Sequence, residues 1–206
     1  MTAEGIIKEH AYHEAGHYTA AIVMAERFKD FIKVDVQSIS LFHAKGVWGD
    51  TVEGRLHAPV SAECADDEDP VAPDELTVNI GLGGMAAQAY LRLLATQSHP
   101  VGRLEGAELE PYAREADALS KAAAESDLIA LKTYLPQKDW SNWSRTLLPE
   151  VLEIVRVNWG GLERVAMALL SAPIVSGVQR ITAEEAHTAF TGLDPVARHP
   201  RGPCEG

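Results

Sequence analysis

The chain has 206 residues, of which 46% are hydrophobic and 23% charged, and a formal net charge of -12 at pH 7. These proportions suit a globular chain long enough to bury one core, and the negative balance argues against nucleic acid or an anionic membrane surface as partner, since both need clustered Lys and Arg. No run approaches the roughly 20 uncharged apolar residues that cross a bilayer, and residues 1–10 carry no apolar signal core.

In chain order, Lys8 to Phe28 is rich in Ala and Glu and free of proline, which predicts a helix. Lys33 to Phe42 is dense in Val, Ile and Ser and predicts a strand, and Gly46 to Val52 is expected to return beside it as a hairpin. An acidic loop follows over about 59–73, with its charges in Glu63 to Asp69. A second helix is expected from Pro73-Asp74 through Gly81-Leu82-Gly83-Gly84 to about Thr96. Gln97 to Gly106, with Pro100 and Gly102, reads as a connector. Ala107 to Leu135 reads as a long Ala-rich helix interrupted near Pro111, and Ser144 to Leu170 as another, starting near Pro149 with a kink at Gly160-Gly161. Thr182-Ala183-Glu184-Glu185 has the pattern of a capping box opening a last short helix. Residues 194–206 hold several prolines and glycines and are expected to form a loose tail. The prediction is one mainly α domain over residues 1–193 with a small β hairpin or sheet.

Two cysteines, Cys64 and Cys204, are too few for a disulfide framework and lie in no CxxC pair, so isolated thiols and a cytoplasmic location are expected. Trp48, Trp140, Trp143 and Trp159 read as packing residues.

The chemistry concentrates in His13-Glu14-Ala15-Gly16-His17. Residues four apart share a helix face, so both imidazoles can reach one metal ion, with Glu14 displaced by a single position beside them. In that place Glu14 can take a proton from a water held by zinc, whose pKa falls to roughly 7, and pass it to a leaving amine. Gly16 costs the helix about 1 kcal/mol relative to Ala, which points to close approach by another backbone or by substrate.

Catalytic zinc usually has three protein ligands, so two histidines need a partner. Asp127 has Ala123, Ala124, Ala130 and Leu131 at helical spacing, an apolar setting that suits a carboxylate only when it is paired or metal-bound. Glu125, flanked by Ala122, Leu128 and Ile129 but also by Lys121, is the alternative. The other six histidines read as surface or packing residues, with His10 one turn before His13.

Taken in order, these segments resemble the peptidase domain of the FtsH-type ATP-dependent zinc metalloproteases, over roughly residues 8–190. Ala11 to His17 matches that family's metal helix. Ser38 to Leu41 with Gly46 to Gly49 resembles its short strand and glycine-containing return. Gly81 to Gln88 is similar to its Gly-Gly-Arg-x-Ala-Glu helix, Ala123 to Leu128 to the segment that supplies an aspartate as third ligand, and Asn158 to Leu170 to its closing helix. The resemblance implies a zinc metalloendopeptidase with His13, His17 and Asp127 as ligands and Glu14 as general base, and it favours Asp127 over Glu125.

Met85 and Gln88 depart from the family's Arg and Glu, and the longer spacing from Gly84 to Asp127 implies an insertion over about 96–118. No GxxxxGK[ST] loop occurs. Expected partners are therefore peptides or unfolded proteins, taken alone or handed over by a separate AAA+ ATPase or within a homo-oligomer. The strand around Ile39 to Phe42 is the candidate for pairing with substrate backbone. The alternative, motivated by Met85 and Gln88, is a catalytically silent pseudo-peptidase that binds peptides or proteins.

Overall fold

The computed structural model describes residues 3–27, 32–46, 49–57, 60–62, 73–95, 108–122 and 147–192. Asp127, Glu125, both cysteines, Trp48, Trp140, Trp143, the acidic run and the C-terminal tail lie outside these residues. Among the described residues the protein is mainly helical, with a small antiparallel sheet, as the elements read along its sequence predict.

Small side chains shape the centre. Helix α1 (Ala3–Arg27) is buried at every position from Ala11 to Ala21, and helix α2 (Pro73–Leu94) at every position from Leu82 to Tyr90. A helix enclosed on all sides needs apolar or small residues all round, which the alanines of both segments supply. Their backbones meet at glycines. A Cβ placed on Gly16 would strike the Gly83 carbonyl and lie 2.5 Å from Ala87 Cβ, and one on Gly83 would lie 2.5 Å from the Gly16 carbonyl oxygen. The helix cost of Gly16 therefore accompanies close approach by another backbone, one of the two reasons the sequence offered.

Around this pair stand α3 (Glu110–Ala122), α4 (Leu148–Val157), α5 (Trp159–Ser171) and α6 (Ala183–Thr191). The single helix expected over Ser144 to Leu170 is two helices. The break falls at Asn158, with φ -102° and ψ 14°, where the side-chain amide donates to the Ile154 carbonyl at 2.8 Å. An asparagine that bonds back to its own helix offers the backbone an alternative to continuing, which the glycines downstream had obscured. Gly161 instead gives room to Phe190, whose ring a Cβ would meet at 2.8 Å. Pro149 lies in the first turn of α4, as expected. Thr182 and Glu185 form the reciprocal capping box, with the Glu185 amide donating to Thr182 Oγ1 at 3.2 Å and the Thr182 amide to Glu185 Oε2 at 2.7 Å.

The hairpin is present. Strand β2 (Ser38–Gly46) pairs with β3 (Gly49–His57) in register Ile39↔Leu56 and Leu41↔Gly54. Strand β5 (Val178–Thr182) pairs with the opposite side of β2, so the order is β3-β2-β5. Strands β1 (Ile32–Val34) and β4 (Val60–Ala62) make a separate two-stranded pair. The place of β2 corrects the expectation that Ile39 to Phe42 pairs with substrate: both of its edges are already hydrogen-bonded, and the outer strand on this side is β3.

The core runs through an aromatic row beside α1. Tyr112, Tyr90, Trp159 and Tyr12 stand with successive ring centroids 5.6, 4.9 and 5.5 Å apart. Trp159 is buried among them, which matches its reading as a packing residue.

Candidate metal centre

The middle of α1 carries the site. His13, Glu14 and His17 are 8%, 4% and 7% exposed, and one ligand-capable atom from each lies within 4.8 Å of the others. Burying three such groups together is costly unless bonds or an ion compensate. The helical spacing brings His13 Nε2 to 2.9 Å from His17 Nε2, with the rings edge to face.

The outer ring nitrogens explain why the inner ones face each other. His13 Nδ1 lies 3.0 Å from Gln88 Oε1, and His17 Nδ1 lies 2.7 Å from the Ile80 carbonyl oxygen, both on α2. The Gly84 amide also comes within 3.3 Å of His17 Nδ1, but the carbonyl is nearer and is an acceptor, so this nitrogen carries the hydrogen. With both Nδ1 atoms donating, each neutral imidazole turns the lone pair of Nε2 toward the other. Two lone pairs that converge at this separation form an arrangement that a shared metal ion would satisfy.

The surroundings fit an ion. A Cβ built on Gly84 would lie 2.6 Å from His13 Nε2 and 2.6 Å from His17 Nε2, so the glycine leaves room that both ring tips occupy, which lets the two ligand atoms converge against α2. Two nitrogens about 2.1 Å from one tetrahedral zinc stand roughly 3.4 Å apart. The observed 2.9 Å is about 0.5 Å shorter, so the ring tips would part slightly to admit the ion. Outer hydrogen bonds that fix tautomer and orientation are the usual support of metal-binding histidines.

Glu14 projects toward the sheet, where Gly54 of β3 makes room for it: a Cβ there would collide with Glu14 Oε1 and lie 2.5 Å from the carboxyl carbon. Three glycines thus serve one site, Gly16 by seating α1 on α2, Gly84 below the imidazoles and Gly54 beside the carboxylate.

The sequence singled out His13, Glu14 and His17, and the fold brings all three together. It did not single out Gln88 as a contact of His13, or Gly54 as a neighbour of Glu14. A signal for Gln88 existed, because it lies four residues after Gly84 on the same face of α2. Met85, the other departure from the family pattern, is buried in the core at 1% exposure. His10 is half-buried one turn before His13. No protein-family model matches the chain, and no curated protein matches it either. Among the described residues, no helix is long and apolar enough to cross a membrane.

Proposed function

We propose that the protein is a zinc-dependent peptidase that hydrolyses peptide bonds in flexible peptides or unfolded proteins. The observation that carries this reading is the pair of Nε2 atoms 2.9 Å apart with a buried carboxylate beside them, on one turn of helix whose outer nitrogens are tied to α2. His13 and His17 would hold the metal. Asp127 is proposed as the third ligand, on its apolar helical neighbours and on the family resemblance, ahead of Glu125. Two imidazoles and a carboxylate suit zinc.

When bound, zinc supplies Lewis acidity, which makes water a usable nucleophile near neutral pH and stabilises negative charge on oxygen. Glu14 would take one proton from the attacking water while the new C–O bond forms at the scissile carbonyl. It then returns that proton to the amide nitrogen as the C–N bond breaks, so acid, amine and the free carboxylate are the end state. Burial holds the carboxylate away from bulk water.

Strand β3 is the sheet edge nearest Glu14, through Gly54, and an extended substrate backbone would add to it as a further strand. Met85 fills core space, and Gln88 contacts His13, so the two departures that motivate a silent binding module have structural roles of their own.

The test is hydrolysis of casein by the zinc-loaded chain and by Glu14→Gln. A peptidase loses cleavage in Glu14→Gln while keeping its zinc. Full cleavage by that variant refutes the role of Glu14, and zinc-loaded wild type that cleaves no flexible substrate favours the binding module.

A further inference from the structure

Behind His13 runs a polar chain across three helices. Gln88 Oε1 lies 3.0 Å from His13 Nδ1, and Gln88 Nε2 lies 3.5 Å from Glu9 Oε2. Arg92 grips both oxygens of Glu9, with Nε at 3.1 Å from Oε1 and Nη2 at 2.7 Å from Oε2. Its remaining arm, Nη1, reaches Glu115 Oε1 on α3 at 2.7 Å. Glu9 is one turn before His13 on α1, and Gln88 and Arg92 are one turn apart on α2.

The chemistry of these groups favours one orientation. A side-chain amide has a single acceptor oxygen and a single donor nitrogen. The Glu9 carboxylate accepts only, so it takes the amide's NH2 and leaves the oxygen for His13. Arg92, anchored to Glu115, keeps Glu9 in place. His13 must then hold its hydrogen on Nδ1 and its lone pair on Nε2, where a metal would bind.

We propose that Gln88 is a positioning residue whose amide orientation, set by Glu9 and Arg92, selects the metal-binding tautomer of His13 and thereby tunes metal affinity. The effect on affinity rests on the metal reading of the site; the control of the tautomer does not. Gln88 and Arg92 do not touch the ion. Were Arg92 removed, Glu9 would be freed and the amide could turn its NH2 toward His13, moving the ring hydrogen to Nε2 and blocking that ligand.

The test uses the full-length chain. Nitrogen-15 chemical shifts of His13 in metal-free protein, at a pH where imidazoles are neutral, report the tautomer, and competition with a chromophoric chelator reports zinc affinity. Wild type is expected to show the Nδ1–H form. Gln88→Leu, close in volume, should lose that form and bind zinc about 10–100-fold more weakly, the range for outer-shell partners of metal-binding histidines. Gln88→Glu keeps an acceptor oxygen and should retain the Nδ1–H form. Arg92→Met should weaken zinc binding by a smaller factor, and the double variant Gln88→Leu/Arg92→Met should bind no more weakly than Gln88→Leu alone, because both act on one path. A His13 tautomer that Gln88→Leu leaves unchanged overturns the inference, as do additive losses in the double variant. If wild type binds no zinc yet Gln88→Leu converts the tautomer, the metal reading fails and the role of Gln88 stands.

Discussion

Replacing Gly84 by Ala probes the close seating of the two histidines on α2 with a single methyl group. The new Cβ would lie 2.6 Å from each Nε2 and 2.7 Å from His17 Cε1, where ordinary contact begins at 3.4 Å, so the ring tips must withdraw by about 0.8 Å. Those atoms are the far ends of side chains rather than backbone, so the metal-free fold can yield to the methyl. Alanine in a helix also gains about 1 kcal/mol over glycine, which offsets the crowding. Metal-free Gly84→Ala is therefore expected to be about as stable as wild type. Its ligand atoms, however, are pushed off the positions from which they converge in wild type. At a zinc concentration 100 times the wild-type Kd, binding stabilises wild type by about 2.7 kcal/mol. For a chain of this size each kcal/mol raises Tm by roughly 2–4 °C, giving a rise of about 5–10 °C. A variant with affinity reduced 100-fold gains only about 0.4 kcal/mol at that zinc concentration, a rise of about 1 °C. Thermal melts with zinc and with chelator measure both quantities. A zinc-dependent rise in Gly84→Ala equal to that of wild type refutes the placement of an ion over Gly84.

Three further predictions concern the ligand set, the helix crossing and the aromatic row. Asp127→Ala should lose zinc and Glu125→Ala should keep it; full retention of zinc by Asp127→Ala removes Asp127 from the ligand set. Gly16→Ala places a methyl against the Gly83 carbonyl and Ala87, and backbone cannot withdraw as a ring tip can. Overpacking of about 1–3 kcal/mol should outweigh the helix gain of about 1 kcal/mol and lower the urea midpoint, so an unchanged or higher midpoint contradicts the close crossing. Tyr12 has its pKa raised from 10.0 to about 12, first by burial and then by the charge of Glu163, and Tyr90 is raised to about 12, first by burial and then by Tyr112. Both stay protonated in the fold where the unfolded chain has already ionised, so their contribution is complete below pH 10 and is lost as pH rises from 10 through 12. The urea midpoint should fall over that interval and fall less in Tyr12→Phe; equal slopes in the two proteins would contradict it.

Much of this arrangement is legible in the sequence because its signals are local. Spacing along one helix brings His13 and His17 to a common side, and the Thr182-Glu185 box announces α6 without reference to the rest of the chain. The hairpin also declares itself through apolar β-rich residues followed by a glycine-bounded return. Long-range pairings were less visible. Strand β5 follows a turn at Ser176, with φ 52°, and Gly177, with φ 80°, yet nothing nearby says that it pairs with β2 from the far side. That pairing makes β2 central and leaves β3 and β5 as the outer strands among the described residues. The strands β1 and β4 are three residues each and too short for a periodic signal. Gln88 looked like a lost charge when compared with a family pattern. Its contribution emerges only when α1 and α2 are packed, because the residues it joins, His13 and Glu9, are 75 and 79 positions away.

The central claim is that His13 and His17 hold a zinc ion, and the zinc content of the purified chain tests it most directly. After reconstitution with zinc and removal of excess, elemental analysis should find one equivalent in wild type and none in His17→Ala, with the helical signal of both proteins the same. Wild type that retains no zinc under those conditions, or His17→Ala that retains as much as wild type, would contradict the account.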